Sequence, residues 1–331
     1  LEFRRVLFRS QYTTAPLVAR QLASLGADTI KIEAPGGEAA RKWPPSQGDT
    51  GYFFAMANSD KRSLVLDLRD GADVASFRDL LRSADVLVEN LKPGSLARLG
   101  FGPDDLAAIN PRLVYCGISG FGLDSAFPGR PAFDTVVQAM CGFMDLTRSA
   151  GAPVKSGISA ADIMGGQFSL FAVLAALDHR DRTGHGQSLD ISMQDAAVWA
   201  SQFTWNGARA GVPCCMVRCS DGYATLACSA AQAADRLGRL VETGSRGEVV
   251  AAAARAGIAA APVCTVSEVA ESEQTAARQL LLRARDSQGL DWPLLASPIR
   301  LRATPPVVGR PIGPAGEANV ELVGRPMKAD A

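Results

Sequence analysis

An α/β fold, a parallel sheet with crossover helices followed by a smaller α+β domain, is what this sequence predicts. Three observations carry the expectation. Short runs of β-branched and aliphatic residues alternate with helix-period stretches through the first part of the chain. A glycine stop, Gly26, closes the first helical stretch. After Asn206 the character shifts to a hairpin pattern and alanine-rich helices.

Taken in order, Leu17–Leu25 reads as a helix and Thr29–Ile32 as the strand after it. Ser63–Leu68 reads as a second strand, Ala72–Leu81 as a helix, Asp85–Glu89 as a third strand and Leu113–Gly117 as a fourth. Ile163–Asp178 has the composition of a buried helix, and Met193–Trp205 reads as another. Arg218–Leu226 reads as a hairpin around an Asp-Gly turn, followed by helical stretches near Ala231–Leu240 and Gly247–Ala256. The Pro- and Gly-rich tail from Pro305 reads as extended packing chain. The first ten residues lack an initiator Met and a signal pattern, and Leu7-Phe8-Arg9-Ser10 resembles translated adapter DNA. They are expected to be a non-native leader on a truncated gene start and are excluded from the fold. The expected domains are therefore a large one at 11–206, completed by 300–331, and a small one at 207–299.

The 331 residues balance 34 Lys+Arg against 34 Asp+Glu, with 47% hydrophobic residues. The hydrophobic share supplies ample core. Without a basic excess, neither a nucleic-acid nor a membrane partner is expected. The longest apolar run, near Phe168–Leu177, is too short for a bilayer. Seven cysteines without regular spacing, Cys214, Cys215 and Cys219 among them, complete no zinc pattern. No metal is expected, and free thiols fit a cytoplasmic location. A Ser-His-Asp machine would need His179 or His185, the only histidines, both placed in a polar stretch after a helical run.

Ligands of parallel sheets bind beyond the carboxyl ends of the strands, here after Glu33, Leu68, Glu89 and Gly117. Arg41, Lys61, Arg62, Arg69, Lys92 and Arg98 fall in or near those segments. They read either as solvated surface or, if convergent, as phosphate ligands whose binding would weaken with salt. Gly117–Gly122 has the wrong spacing for a dinucleotide fingerprint and fits a tight turn. Asp162 lies among small apolar residues beside an apolar helix. It reads either as an N-cap or as a functional carboxylate. The Gly165-Gly166 pair beside it would leave ligand space and expose N–H groups for an oxyanion.

Several ordered segments together resemble the class III CoA-transferases of the CaiB/BaiF family. They are Leu22–Glu33, Asn58–Leu68, Asp85–Gly94, Gly117–Gly122, Phe133-Asp134, Gly157–Asp162, Thr183–Gln187 and Met193–Asp195. The match runs over roughly 14–200. Thr13 stands where formyl-CoA transferase-like members carry Gln, no glycine-rich substrate loop occurs in the second half, and the small domain is short.

The resemblance implies a Rossmann-like large domain, a small domain and an interlocked homodimer. It implies Asp162 as the catalytic aspartate. Leu66, Asp67, Leu68, Arg69, Asn90, Leu91, Lys92 and Arg98 would line the CoA site, and Pro131, Ala132, Phe133 and Asp134 would lie near the pantetheine and thioester. Coenzyme A thioester is then substrate, with no tightly bound cofactor, and carboxylic acids are the acceptors. The chemistry would pass through an aspartyl anhydride and an aspartyl-CoA thioester. An α-methylacyl-CoA racemase-like enzyme on the same fold would need a His where Phe133 stands. A CoA-binding homologue without turnover is a further alternative. A nicotinamide dehydrogenase is disfavoured by the missing fingerprint.

Overall fold

The computed structural model describes residues 4–48, 50–149, 151–204 and 213–327. They fall into two compact units, one running to Gln202 and resuming at Leu280, the other spanning Phe203–Gln279.

The first unit is built on six strands: β1 (Arg5–Arg9), β2 (Asp28–Glu33), β3 (Arg62–Val65), β4 (Val86–Glu89), β5 (Val114–Ser119) and β6 (Ser188–Ser192). Their order is β6-β5-β4-β1-β2-β3, every neighbouring pair parallel. Its longer helices are α1 (Thr14–Ser24), α2 (Tyr52–Asn58), α3 (Gly71–Arg82), α4 (Pro103–Ile109), α5 (Asp134–Met140), α6 (Ala160–Thr183) and α7 (Met193–Ala200). This is the doubly wound order, in which the chain reverses direction across the sheet between β1 and β4. Strand alternation divides the core. Val6, Phe8, Val86, Val88, Val114 and Cys116 pack with α1 and α6 on one face. Leu7, Ile30, Ile32, Leu64 and Leu87 pack with α3 and α4 on the other.

The position of β1 corrects the exclusion of the first ten residues. Val6, Leu7 and Phe8 are at most 1% exposed, and the strand pairs with both β2 and β4. Each such side chain contributes roughly 1.5–3 kcal/mol through burial. At the end of β1, Arg9 Nε and the Ser10 hydroxyl are buried without a hydrogen-bond partner among the described residues.

Other bounds also differ. β3 ends at Val65 rather than Leu68. α7 ends at Ala200, and Trp205 and the boundary after Asn206 lie outside the described residues. The hairpin β10 (Leu281–Arg285) and β11 (Asp291–Leu295) packs Trp292 and Leu294 against Ala55 of α2, within the first unit. Part of the tail is helical, at Asn319–Val323, and the Asn319 side chain bonds both backbone groups of Val65 at the open edge of β3.

Among the described residues one helix, α6, is long and apolar enough to cross a membrane by length and composition. The apolar run is longer than Phe168–Leu177 because Ala160, Ala161, Gly165 and Gly166 extend it. The helix is placed as a core helix, with Leu170, Val173, Ala176 and Leu177 buried against the sheet and α1. It also carries His179, which therefore stands within the helix rather than after it.

The second unit has a three-stranded antiparallel sheet, β7 (Cys215–Cys219), β8 (Gly222–Leu226) and β9 (Ala260–Pro262). Helices α8 (Ala230–Leu237) and α9 (Arg246–Arg255) begin with capping boxes at Ser229 and Ser245. Ala224, Leu226, Val249 and Ala253 form its core. All seven cysteines are free.

Candidate active site

The reversal between β1 and β4 leaves a crevice at the carboxyl ends of these strands, where ligands of doubly wound sheets bind. A cleft of about 540 Å³ lies there, within the range of small-molecule sites. Its walls come from Gln11–Thr14 after β1, Asn90–Pro93 after β4, the segment after β5 up to Asp134, and Asp162 with Met193. Asp162, Asn90, Leu91, Lys92 and Pro131–Asp134, scattered in sequence, are thus brought together.

Asp162 is not the N-cap. α6 starts at Ala160, Ser159 holds the cap position, and Asp162 is the third helical residue. Its Oδ1 accepts the Thr14 hydroxyl at 2.5 Å. The helix end is served instead by Asp134, buried on α5, whose Oδ1 accepts the Ala161 N–H at 2.9 Å. The other Asp134 oxygen takes Gln138 Nε2 at 2.8 Å and Lys155 Nζ at 3.0 Å. Two carboxylates thus share one helix start. Asp134 is spent on structure, and Asp162 faces the cleft.

Burial raises the Asp162 carboxyl above its ordinary value. The Thr14 hydroxyl opposes that rise, the Asp134 charge adds to it, and Thr13 and Lys155 oppose it. The result is a carboxylate more basic than a solvated one, hence a better nucleophile.

Gly165 and Gly166 do not open ligand space. A Cβ at Gly165 would stand 3.0 Å from Met193 Cγ, and one at Gly166 3.2 Å from the Thr14 carbonyl oxygen. Both glycines let α6 approach α1 and α7. Their N–H groups lie inside the helical ladder, away from any oxyanion.

The basic residues mostly do not converge. Arg41 is buried and bidentate to Glu33 at 2.8 and 2.7 Å. Lys61 is buried and donates to the carbonyls of Pro16 and Ala57 and to Asn58 Oδ1. Arg62 is held by Asp28 and Glu321. Arg69 is exposed and pairs with Asp67, while Leu66 and Leu68 turn into the core. Arg98 is exposed, bonds Ser95 and is not among the cleft residues. Lys92 does line the cleft, together with Arg130, which lies over the rings of Phe121 and Phe127.

The buried charges instead shape the cleft from beneath. Lys31 Nζ donates to Glu38 Oε2 at 2.5 Å and to the Ser10 carbonyl. Glu38 Oε1 takes the Tyr12 N–H at 2.9 Å, holding Tyr12 at a φ of 66°. Burial would raise the Glu33 carboxyl, yet its bonds to Arg41, the Lys31 charge and the Ser63 hydroxyl hold it at about 2. Tyr12 stacks on Trp43 and meets the edge of Phe133, giving the cleft an aromatic wall beside Asp162. Thr14, Tyr12 and Arg130 were missed in the sequence. The signal for the first two was their place directly after the first strand.

Both histidines lie at the far end of α6 or beyond it. Asp162 and His179 are 17 positions apart on one helix, about 25 Å at 1.5 Å per residue. Within the chain neither histidine can share the cleft with Asp162. Phe133, a side chain with no proton to exchange, lines the cleft and is 61% exposed.

CoA-transferase family III matches over residues 1–245 and 222–319. The acetyl-CoA:oxalate CoA-transferase of Acetobacter aceti is 46% identical over 180 residues, 54% of this chain and 46% of its own. The succinate–glutarate CoA-transferase of Agrobacterium fabrum is 38% identical over 209 residues, 60% of this chain and 52% of its own. The chain thus spans about half the length of the curated relatives it matches. A crystal structure of a CAIB/BAIF family protein from Brucella suis superposes with a TM-score of 0.85 at 29% identity, over 97% of this chain and 98% of the other. A hypothetical protein of Mycobacterium tuberculosis does so with a TM-score of 0.82 at 28% identity, over 98% and 99%. With the family match spanning most of the sequence and the same fold in these solved structures, the chain belongs to CoA-transferase family III.

Proposed function

We propose that this protein moves CoA from an acyl-CoA donor to a carboxylic acid, with Asp162 as the carrier. The observation that carries this is the Asp162 carboxylate itself, desolvated yet facing a cleft at the sheet's reversal point, with no histidine in reach. Relatives named as CoA-transferases for oxalate, succinate and glutarate support the reaction class.

The carboxylate oxygen of Asp162 attacks the donor's thioester carbon, the C–S bond breaks, and CoA leaves as thiolate. The product is a mixed anhydride. The thiolate then attacks the aspartyl carbon of that anhydride, releasing the donor acid and leaving an aspartyl-CoA thioester. The acceptor carboxylate attacks this thioester and expels the thiolate again. Attack of the thiolate on the acceptor's acyl carbon restores Asp162 and releases the new acyl-CoA. No net proton moves, and every intermediate stays near the thioester in activation, so the reaction runs both ways. The aromatic wall of Tyr12 and Phe133 limits water at the anhydride. Thr14 fixes one carboxylate oxygen and so aims the other. Lys92 and Arg130 supply the cleft's positive charge for CoA phosphates.

An interlocked homodimer in the cytoplasm belongs to the same proposal, as does a CoA path over the loops after β3 and β4. The test is exchange. Incubation with an unlabelled acyl-CoA and an excess of its carbon-13-labelled acid should move label into the thioester pool, and Asp162→Asn should abolish that. Label incorporation persisting in Asp162→Asn, or α-proton exchange in deuterated water without label transfer, would overturn the assignment.

A further inference from the structure

A second cavity of about 270 Å³ opens between the ends of β4, β5 and β6. It shares Leu91, Pro93, Ile118, Ser119 and Leu123 with the cleft that holds Asp162, so the two adjoin. Apolar atoms dominate its walls, among them those of Leu96, Phe101 and Leu189. Glu89, Tyr115, Ser119 and Asp190 in its walls are already partnered. Glu89 Oε1 accepts the Tyr115 hydroxyl at 2.8 Å, and Oε2 accepts the Leu91 N–H at 2.6 Å. Ser119 Oγ accepts the Gly122 N–H at 2.8 Å, and Asp190 Oδ2 the Leu123 N–H at 2.9 Å. A ligand here therefore meets few groups that need a polar partner, and a bare aliphatic or aryl chain meets least resistance.

We infer that this side cavity receives the apolar tail of the acyl group whose carboxyl carbon is transferred at Asp162. The inference rests on the transferase reading and adds the substrate class: medium-length aliphatic or aryl acids. A dicarboxylate would place its second charge among partnered groups and apolar walls, which disfavours it.

The test is calorimetric binding of acetyl-CoA, hexanoyl-CoA and CoA itself to the full chain, wild type and Ser188→Phe. Ser188 lines the cavity at the edge strand β6, opposite Tyr115, where a larger β-compatible side chain fills the space. Each fully buried methylene is worth roughly fourfold in affinity. Hexanoyl-CoA should bind wild type at least about tenfold tighter than acetyl-CoA, and in Ser188→Phe that ratio should fall towards one. Ala97→Leu, from another wall of the cavity, gives the same readout if Ser188→Phe does not fold by circular dichroism. A ratio unchanged by filling the cavity, or no chain-length preference in wild type, overturns the inference while leaving the transferase reading intact. A loss of affinity for CoA itself on filling the cavity would assign the space to CoA and likewise overturn it. Failure of every thioester to bind wild type would overturn the transferase reading and the tail pocket together.

Discussion

Replacing Arg41 by alanine should destabilise the first unit by about 3–5 kcal/mol, although Arg41 lies outside the cleft. The magnitude follows from what the guanidinium leaves behind. Glu33 is 2% exposed and accepts two hydrogen bonds from Arg41, and among the described residues its other donors are the Ser63 hydroxyl at 2.7 Å and the Glu38 N–H at 2.9 Å. Without Arg41 a buried carboxylate keeps its desolvation penalty and loses its counter-charge. The ring of Phe54, 4.3 Å from the guanidinium carbon, and the Gly313 carbonyl lose a partner as well. The pH dependence has a definite sign. Glu33 is held at about 2, below the unfolded carboxylate, so its contribution is full above roughly pH 4.3 and is lost as pH falls through about 2. Arg41→Ala should remove that acid-side dependence. Urea unfolding of both proteins at pH 7 and at pH 3 measures this. A loss below about 1 kcal/mol at pH 7, or an unchanged acid limb, would refute the reasoning.

Asp162→Asn should abolish transfer while keeping or raising thermal stability, since it removes a buried charge and keeps an acceptor for Thr14. The Asp162 pKa is raised, so wild type should lose stability relative to the variant as pH rises from about 4 through the folded value, which parallel melts would show. Thr14→Val, nearly isosteric, should lower the transfer rate by roughly tenfold or more and shift its acid limb upward, because one oxygen of Asp162 loses its donor. A pH–rate profile checks both effects. Gly166→Ala should destabilise by about 1–2 kcal/mol despite better helix propensity, because its Cβ would press on the Thr14 backbone carbonyl rather than on a flexible side chain. Ser10→Ala, which removes a buried hydroxyl without a partner among the described residues, should be neutral or stabilising by up to about 1 kcal/mol in the same urea assay.

How much of this was legible in the sequence differs by element. The strands from Asp28 to Ser119 announce themselves as apolar runs with helices between them, because strands covered on both faces need apolar residues throughout. Arg5–Arg9 has only three such residues between arginines, and setting it aside also hid Tyr12 and Thr14, which matter because they follow that strand. Proximity of Arg41 and Lys61 to strand ends was readable, but not their direction. The residues that turn them inward, Glu33 and Asn58, bond them across folded segments. Asp162 reads in the sequence as either a cap or a functional carboxylate, and a few positions of helix register, which put it third in α6 and in the cleft wall, are what the sequence does not fix. The glycines beside it look the same in sequence whether they make room for a ligand or for a helix, and only the contacts to Met193 and Thr14 separate the two.

The most direct test of Asp162 as carrier is peptide mass spectrometry after incubation with acyl-CoA and quenching with hydroxylamine. The account predicts a hydroxamate or CoA adduct on the peptide containing Asp162, formed only with thioester present and lost in Asp162→Asn. An unmodified Asp162 peptide under conditions where CoA transfer is turning over would contradict it.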